Sequence, residues 1–284
     1  MAEPEDVKRL LCKHLSKASY NKNVADLIAD TWQTQAVILQ TWPALHEGEG
    51  FSAFTAMLPL GPVSALVVLF RGTKGTPEWL SYPEALATGE LLRSMEGLTG
   101  FTPFVDTLEQ VWNQPGDGVN GCPPFTMKDA ISRALMEGKL VWMAGHSRGG
   151  AIAQLAAALL MCGQESRYPG TNLCQLSIMT FNSPMCLLAG DVIRYEEARE
   201  EKGVEHRRVE HRGDLVRLLP PGMGLQHGGD PETHGEGLMQ NERIVGTALS
   251  AVRAFAERGS NSDTGGAFRS LASAFVKHAT ESHR

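Results

Sequence analysis

Short apolar runs and longer helical stretches alternate along most of the chain. Phe51–Leu60 and Val63–Phe70 are apolar runs on either side of Gly61-Pro62, a pattern typical of two strands joined by a turn. Residues 139–144 and Leu176–Phe181 are two more compact apolar runs. Their short length predicts two further buried strands.

Stretches with a helical spacing of apolar residues lie between and around these strands. Residues 151–162 are almost entirely Ala, Leu and Ile, which predicts a buried helix. The other predicted helices cover residues 4–18, 24–39, 194–202, 241–257 and 266–282. Residues 222–237 are rich in Gly and His and predict a long loop.

The order of these elements predicts a fold class. Strands that alternate with helices are typical of an α/β protein, with a mainly parallel central sheet and helices on both faces. The chain has 284 residues and shows no internal repeat, low-complexity tract or linker. We therefore expect a single domain over residues 1–284.

The composition excludes several classes of function. Apolar residues make up 42% of the chain and charged residues 20%, which is enough apolar material for a large core. The formal net charge of −6 gives no overall attraction to nucleic acid, so no nucleic-acid partner is expected. The apolar runs are too short to span a bilayer, so no transmembrane segment is expected either.

The N-terminus and the cysteines bear on the cellular compartment. The first residues are acidic and lack the basic and apolar regions of a signal peptide, which predicts a cytoplasmic protein. Export by a route without a signal peptide remains open. The five cysteines are widely spaced and form no CxxC pair, so we expect free thiols and no structural zinc.

The segment around Ser147 carries the clearest chemistry. An apolar strand leads into Gly145-His146-Ser147-Arg148-Gly149, and a helix of small residues follows directly. This is the context of a nucleophile elbow, in which the serine occupies a strained turn between strand and helix. The two glycines leave room where the strand and the helix crowd that turn. We therefore predict Ser147 to be the nucleophile of a serine hydrolase.

A serine nucleophile needs a base and an acid that orients the base. In an α/β-hydrolase the acid follows the serine in the chain and the histidine follows the acid. Asp214 is the downstream acid that directly follows a strand-like segment, where a loop reaches the carboxyl edge of the sheet. It is the predicted acid of the triad.

Taken together, the motifs resemble the class 3 lipases, the fungal-lipase type of α/β-hydrolase. The resemblance runs in order from about residue 60 to residue 230. The segments that carry it are Val67-Val68-Leu69-Phe70-Arg71-Gly72-Thr73, Trp79, Gly145-His146-Ser147 with Gly149-Gly150-Ala151, Thr180-Phe181-Asn182-Ser183-Pro184, and residues 213–221. The family has Gly where this chain has Asn182. The resemblance implies an α/β-hydrolase fold with a lid segment.

The resemblance also implies an oxyanion hole and a lid. Thr73 would supply one backbone donor, and the amide of Arg148 meets the physical requirement for a second. The Arg148 side chain is expected to form a surface salt bridge. Residues 74–94 correspond to an amphipathic lid that opens at a lipid surface, with Trp79 at its start. The alternative for this segment is an ordinary surface helix.

The base is the least determined member of the site. The family places its histidine near the C-terminus, which favours His278 over His227 and His234. His227, Asp230 and His234 together offer metal-binding atoms, but their spacing matches no familiar site, so no metal is expected.

The predicted function is hydrolysis of carboxylic esters, with acylglycerols or related lipids as substrates and contact with a lipid interface. No cofactor is required for this chemistry. Phospholipase A1 and feruloyl-type esterase activities share the same motifs, so both remain alternatives. A catalytically silent hydrolase fold used as a binding module is the alternative outside enzymes.

Overall fold

The computed structural model describes residue 12 and residues 37–43, 51–60, 62–72, 91–163, 172–212, 214, 216–218 and 223–234. Apart from Cys12, the helices predicted at 4–18, 241–257 and 266–282 lie outside the described residues. The same holds for most of the helix predicted at 24–39.

The described elements begin and end at well-defined residues. The strands are β1 (Val37–Pro43), β2 (Phe51–Leu60), β3 (Val63–Phe70), β4 (Leu92–Met95), β5 (Leu98–Phe101), β6 (Asp117–Gly118), β7 (Leu140–His146), β8 (Leu176–Phe181), β9 (Leu187–Leu188), β10 (Glu205–His211), β11 (Leu225–Gln226) and β12 (Asp230–His234). The helices with described bounds are α1 (Thr102–Asn113), α2 (Met127–Met136), α3 (Arg148–Cys162) and α4 (Ala189–Lys202), and 3₁₀ turns cover Leu173–Gln175 and Val216–Leu218. Among the residues described, no helix combines the length and apolar character that a membrane span requires.

The central sheet determines where the loops meet. Its strands follow the order β12-β10-β8-β7-β3-β2-β1-β6. The first four pairs in this order, from β12–β10 to β7–β3, are parallel. The last three pairs, β3–β2, β2–β1 and β1–β6, are antiparallel. The predicted α/β fold with a mainly parallel sheet is confirmed. Because the carboxyl ends of parallel strands share one edge, the loops after β3, β7, β8 and β10 lie side by side.

The central strands β3, β7 and β8 are buried on both faces, which explains their unbroken apolar runs. Side chains alternate along a strand, so Val68 of β3 packs on one face and Val67 on the other. The cluster containing Val68 includes residues of α1, α2 and α3. The cluster containing Val67 includes Cys12. Strands covered on both faces lose the apolar–polar alternation that marks a half-exposed strand.

Helix α3 is buried along almost its whole length. Every residue from Arg148 to Met161 is buried, since α3 packs on the sheet through β3, β7 and β8 and against α1 and α4. Its alanine-rich sequence permits close approach on all sides. The buried helix predicted at 151–162 is confirmed, and the structure extends it back to the residue after Ser147.

Two predictions of local structure are wrong. The loop predicted at 222–237 contains β11 and β12, and β12 pairs in parallel with β10 along its whole length. Asp230, Pro231 and Glu232 have low strand propensity, but pairing with β10 overrides it. Among the described strands β12 is at the end of the sheet, where Pro is tolerated. Residues 37–39, predicted to end a helix, instead begin strand β1, because β1 pairs with β2.

A second, smaller sheet joins distant parts of the chain. Its order is β11-β9-β5-β4, and its strands pair antiparallel. The predicted lid segment, residues 74–94, overlaps this sheet, since residues 92–94 belong to β4. Residues 74–90 lie outside the described residues.

Candidate active site

Ser147 occupies a strained turn between β7 and α3. Its backbone angles are φ 54° and ψ −128°, a positive-φ conformation that non-glycine residues rarely adopt. Such strain persists only where the surrounding structure holds it, and it is concentrated at functional sites. The serine is half-buried at the N-terminus of α3, where the helix dipole favours developing negative charge.

The two motif glycines are required by close contact. A Cβ atom on Gly145 would lie 2.2 Å from the carbonyl carbon of Gly149. A Cβ atom on Gly149 would lie 2.1 Å from the carbonyl oxygen of Phe70, the last residue of β3. Both distances are far below a normal van der Waals contact. The turn, the start of α3 and the end of β3 can therefore come together only without these side chains.

The same contact places the predicted oxyanion strand beside the turn that contains Ser147. Phe70 and Arg71 lie against Gly149, two residues after Ser147. The backbone N–H of Arg71 donates to the carbonyl of Ser52 at 2.9 Å, which ties the end of β3 to β2. Thr73, two residues further on, lies outside the described residues.

Asp214 lies in the loop after β10. Its N–H donates to the carbonyl of His211 at 3.1 Å, and its Oδ1 accepts from the N–H of Val216 at 2.9 Å. The carboxylate is half-buried. β10 is two strands from β7 in the sheet, so the two strand ends lie roughly 10 Å apart. A side chain between the two loops can therefore contact both.

Arg148 is buried, so the predicted location of its side chain at the surface is wrong. Only 5% of the residue is exposed. Its guanidinium donates to the hydroxyl of Thr107 on α1, and that hydroxyl donates in turn to the carbonyl of Pro103 at 3.0 Å. The side chain packs inward because α1 covers the start of α3. It anchors the residue whose amide is the predicted oxyanion donor.

The profile of the family lipase (class 3) matches residues 67–223, more than half of the chain. The matched range includes both Ser147 and Asp214. The chain belongs to the class 3 lipase family. It is therefore a serine hydrolase of the lipase and ester hydrolase type. A comparison with curated protein sequences finds no match.

Solved structures of fungal lipases share this fold. The triacylglyceride lipase of Rhizomucor miehei is 19% identical, with a TM-score of 0.58 over 82% of this chain and 81% of that one. Lipase II of Rhizopus niveus is also 19% identical, with a TM-score of 0.58 over 83% of each chain. A triacylglycerol lipase with a serine protease triad at its catalytic centre gives a TM-score of 0.60 at 19% identity, over 83% of this chain and 82% of that one. At this identity the likeness concerns the α/β-hydrolase fold.

Three histidines of this lipase-family chain have partners that bear on the choice of base. His227 Nε2 donates to the carbonyl of Arg217 at 2.7 Å, and burial lowers the pKa of its ring. His234 Nε2 lies 2.6 Å from a carboxylate oxygen of Glu232. His206 is fully buried on β10. His278, the predicted base, and Trp79 lie outside the described residues.

The three candidate metal ligands His227, Asp230 and His234 each contact a different residue. Asp230 accepts two hydrogen bonds from Arg199, whereas His227 and His234 bond to Arg217 and Glu232. The three side chains thus have separate partners. Within the described ranges, no group of three or more His, Cys, Asp or Glu side chains is arranged to hold a metal ion.

Two further features near the site were not predicted from the sequence. Asn182 has a φ of 45° directly after β8, and its replacement of the family's glycine is the signal that could have revealed this. His206 Nδ1 lies 2.7 Å from the hydroxyl of Tyr195, in the interior beneath Gly228 and Gly229. No pattern in the sequence distinguishes this buried histidine from His211, which is exposed on the same strand.

Proposed function

We propose that Ser147, Asp214 and His278 form a catalytic triad that hydrolyses carboxylic esters of acylglycerols. The observation that carries the proposal is the conformation of Ser147, whose positive φ is maintained at the junction of β7 and α3. This geometry presents a serine hydroxyl at a helix N-terminus on the carboxyl edge of the sheet. Asp214 follows a neighbouring parallel strand at the same edge.

The proposed reaction has two halves. Ser147 Oγ attacks the ester carbonyl carbon while His278 accepts the hydroxyl proton, and the tetrahedral oxyanion forms. Collapse of this intermediate expels the alcohol, which takes the proton from the imidazolium. Water then attacks the acyl-enzyme, passing its proton to His278, which returns it to Ser147 as the acid leaves. Asp214 holds the imidazole tautomer throughout.

Backbone amides stabilise the oxyanion in this proposal. The N–H of Arg148 is the first amide of α3, and that of Thr73 follows the strand end that contacts Gly149. Fixed donors of this kind stabilise the transition state by about 3–4 kcal/mol each. The buried guanidinium of Arg148 supports one donor by fixing its residue against α1.

Residues 74–94 are the proposed lid, with Trp79 at its start. Antiparallel pairing of β4 with β5 supports this assignment, because it gives the segment an anchored C-terminal end. Substrate at a lipid interface would then be hydrolysed faster than the same ester in solution.

The decisive experiment compares Ser147→Ala with Ser183→Ala. Ser183 is buried beside the elbow, where its Oγ lies 3.1 Å from the position of a Cβ on Gly150. We expect Ser147→Ala to lose p-nitrophenyl ester hydrolysis by several orders of magnitude and to lose fluorophosphonate labelling. Ser183→Ala should keep both. Retained turnover in Ser147→Ala, or no labelling of the unmodified protein, would overturn the triad.

The base and the substrate class need separate measurements. His278→Ala, His227→Ala and His234→Ala should be compared, and we expect only the first to abolish turnover. Loss in one of the others alone would reassign the base. A panel of p-nitrophenyl esters, acylglycerols, a phospholipid and a feruloyl ester, with and without an interface, separates lipase from phospholipase A1 and feruloyl-type esterase.

A further inference from the structure

Asn182 occupies the end of β8 in a conformation that suits glycine. Its φ is 45°, and only 7% of the residue is exposed. The left-handed region is open to glycine and, next best, to asparagine. The family motif has Gly at this position, so this chain carries a side chain where the motif has none.

The added side chain forms a hydrogen bond that glycine cannot form. Asn182 Oδ1 accepts from the backbone N–H of His211 at 2.8 Å, and the Asn182 N–H donates to the carbonyl of Val209 at 2.9 Å. The regular pairing of β8 with β10 ends at Phe181 and Val209. The amide side chain therefore continues the connection between the two strands by one more bond, where their loops begin.

This bond lies between the nucleophile and the acid. On one side, the N–H of Ser147 donates to the carbonyl of Phe181 at 2.8 Å. On the other, the N–H of Asp214 donates to the carbonyl of His211 at 3.1 Å. A continuous path of backbone and side-chain contacts thus runs from Ser147 through Asn182 to Asp214.

We propose that Asn182 is a positioning residue that sets the separation between Ser147 and Asp214. The proposal rests on the proposed function, since it assigns these two residues to one triad. Without the side chain, the loop that begins at His211 loses its bond to β8 and Asp214 can move. Small displacements of this kind reduce turnover strongly because the transition state requires defined geometry.

The kinetic signature follows from electrostatics. A carboxylate beside an imidazole favours the charged ring and raises its pKa. If Asp214 moves away, the pKa of the base falls and the acidic limb of the kcat/KM profile shifts to lower pH. A residue that contributes only to folding changes the stability and leaves this limb in place.

The test uses Asn182→Gly, Asn182→Asp and the matched control Asn120→Gly. Asn120 also has a positive φ, 54°, and its side chain donates to the carbonyl of Ile38 at 3.0 Å, near β6 at the far end of the sheet. We expect Asn182→Gly to lower kcat about three- to tenfold with KM unchanged, the effect of one hydrogen bond. Its acidic limb should shift to lower pH.

The other two variants give the proposal its controls. Asn182→Asp retains an acceptor for the His211 N–H and should keep kcat within about twofold of the unmodified enzyme. Asn120→Gly should lower Tm without changing kcat or the acidic limb. Unchanged kcat in Asn182→Gly, or equal losses in Asn182→Gly and Asn120→Gly, would overturn the positioning role. The proposed function fails separately, through retained turnover in Ser147→Ala.

Discussion

His227 holds the turn that follows Asp214 through a single hydrogen bond. Its Nε2 lies 2.7 Å from the carbonyl oxygen of Arg217, and because that oxygen can only accept, Nε2 carries the proton. Arg217 belongs to the 3₁₀ turn Val216–Leu218, whose first N–H donates to the Asp214 carboxylate. The imidazole of His227 thus joins the segment between β11 and β12 to the turn that follows Asp214.

This relationship predicts different outcomes for two substitutions of His227. His227→Ala removes the donor and should lower kcat roughly tenfold, the effect of one hydrogen bond that positions a loop. His227→Gln places an amide N–H near the same carbonyl and should recover most of the loss. The measurement is steady-state hydrolysis of a soluble p-nitrophenyl ester.

A catalytic base would behave differently, because glutamine cannot take a proton from Ser147. If His227→Gln were as inactive as Ser147→Ala, His227 would be the base and the positioning role would be wrong.

The buried histidine His206 predicts how stability depends on pH. Burial lowers the pKa of His206 to about 3, well below its value of about 6.5 in an unfolded chain. The unfolded chain therefore binds a proton that the folded protein does not. Above about pH 6.5 the neutral ring of His206 does not reduce the free energy of unfolding. As the pH falls from there towards 3, the free energy of unfolding decreases by up to about 1.4 kcal/mol per pH unit.

We expect His206→Gln to flatten this dependence. Between pH 6 and pH 4 the free energy of unfolding should fall less steeply in the variant than in the unmodified protein, as measured by urea denaturation at each pH. If the free energy of unfolding fell equally steeply with pH in the two proteins, the low pKa of His206 would be contradicted. Tyr195→Phe, which removes the hydroxyl 2.7 Å from Nδ1 but leaves His206 in place, should retain the steep dependence.

The close contact at Gly149 predicts a large cost for one methyl group. Gly149→Ala would place a Cβ 2.1 Å from the carbonyl oxygen of Phe70, so α3 must shift away from β3. We expect a loss of at least about 2 kcal/mol in the free energy of unfolding, together with slower fluorophosphonate labelling of Ser147.

Gly190 supplies the matched control. It lies in α4, and a Cβ there would meet no atom within 4 Å. Gly190→Ala should therefore leave labelling unchanged and raise stability by up to about 1 kcal/mol, because alanine favours the helix. Equal behaviour of the two variants would show that the elbow tolerates the added methyl group.

The contact between Arg148 and Thr107 predicts that α1 influences the reactivity of Ser147. Thr107→Val removes a hydroxyl that accepts from the buried guanidinium and donates to Pro103. The expected cost is about 1–3 kcal/mol in the free energy of unfolding, with slower labelling of Ser147. Thr107→Ser keeps the hydroxyl and should retain the labelling rate. If Ser147 were labelled at the same rate in Thr107→Val and in the unmodified protein, the predicted influence of α1 on Ser147 would be wrong.

The nucleophile elbow could be predicted from sequence because all of its determinants are contiguous. An apolar strand, two glycines around Ser147 and a helix of small residues specify the turn within about a dozen positions. The strands at Phe51–Leu60, Val63–Phe70 and Leu176–Phe181 were equally accessible, since burial on both faces leaves continuous apolar runs. The place of Asp214 after a strand followed from the same local logic.

Contacts between residues that are far apart in the chain could not be predicted from local sequence. Arg148 has the charge of a surface residue, but α1, 41 residues away at Thr107, covers it. The polar segment Asp230–His234 becomes a strand only because β10 offers it a partner. The role of Asn182 depends on His211, 29 residues further along the chain.

Local sequence therefore determined the strained turn at Ser147, on which the proposed chemistry depends, and tertiary packing decided how that turn is held in place. A turn is specified by the conformational preferences of a few neighbouring residues. Burial and strand pairing depend instead on which remote surfaces meet, and no short window of sequence contains that information. The elbow at Ser147 belongs to the first kind, and the contacts that support it from Thr107, Asn182 and His227 belong to the second.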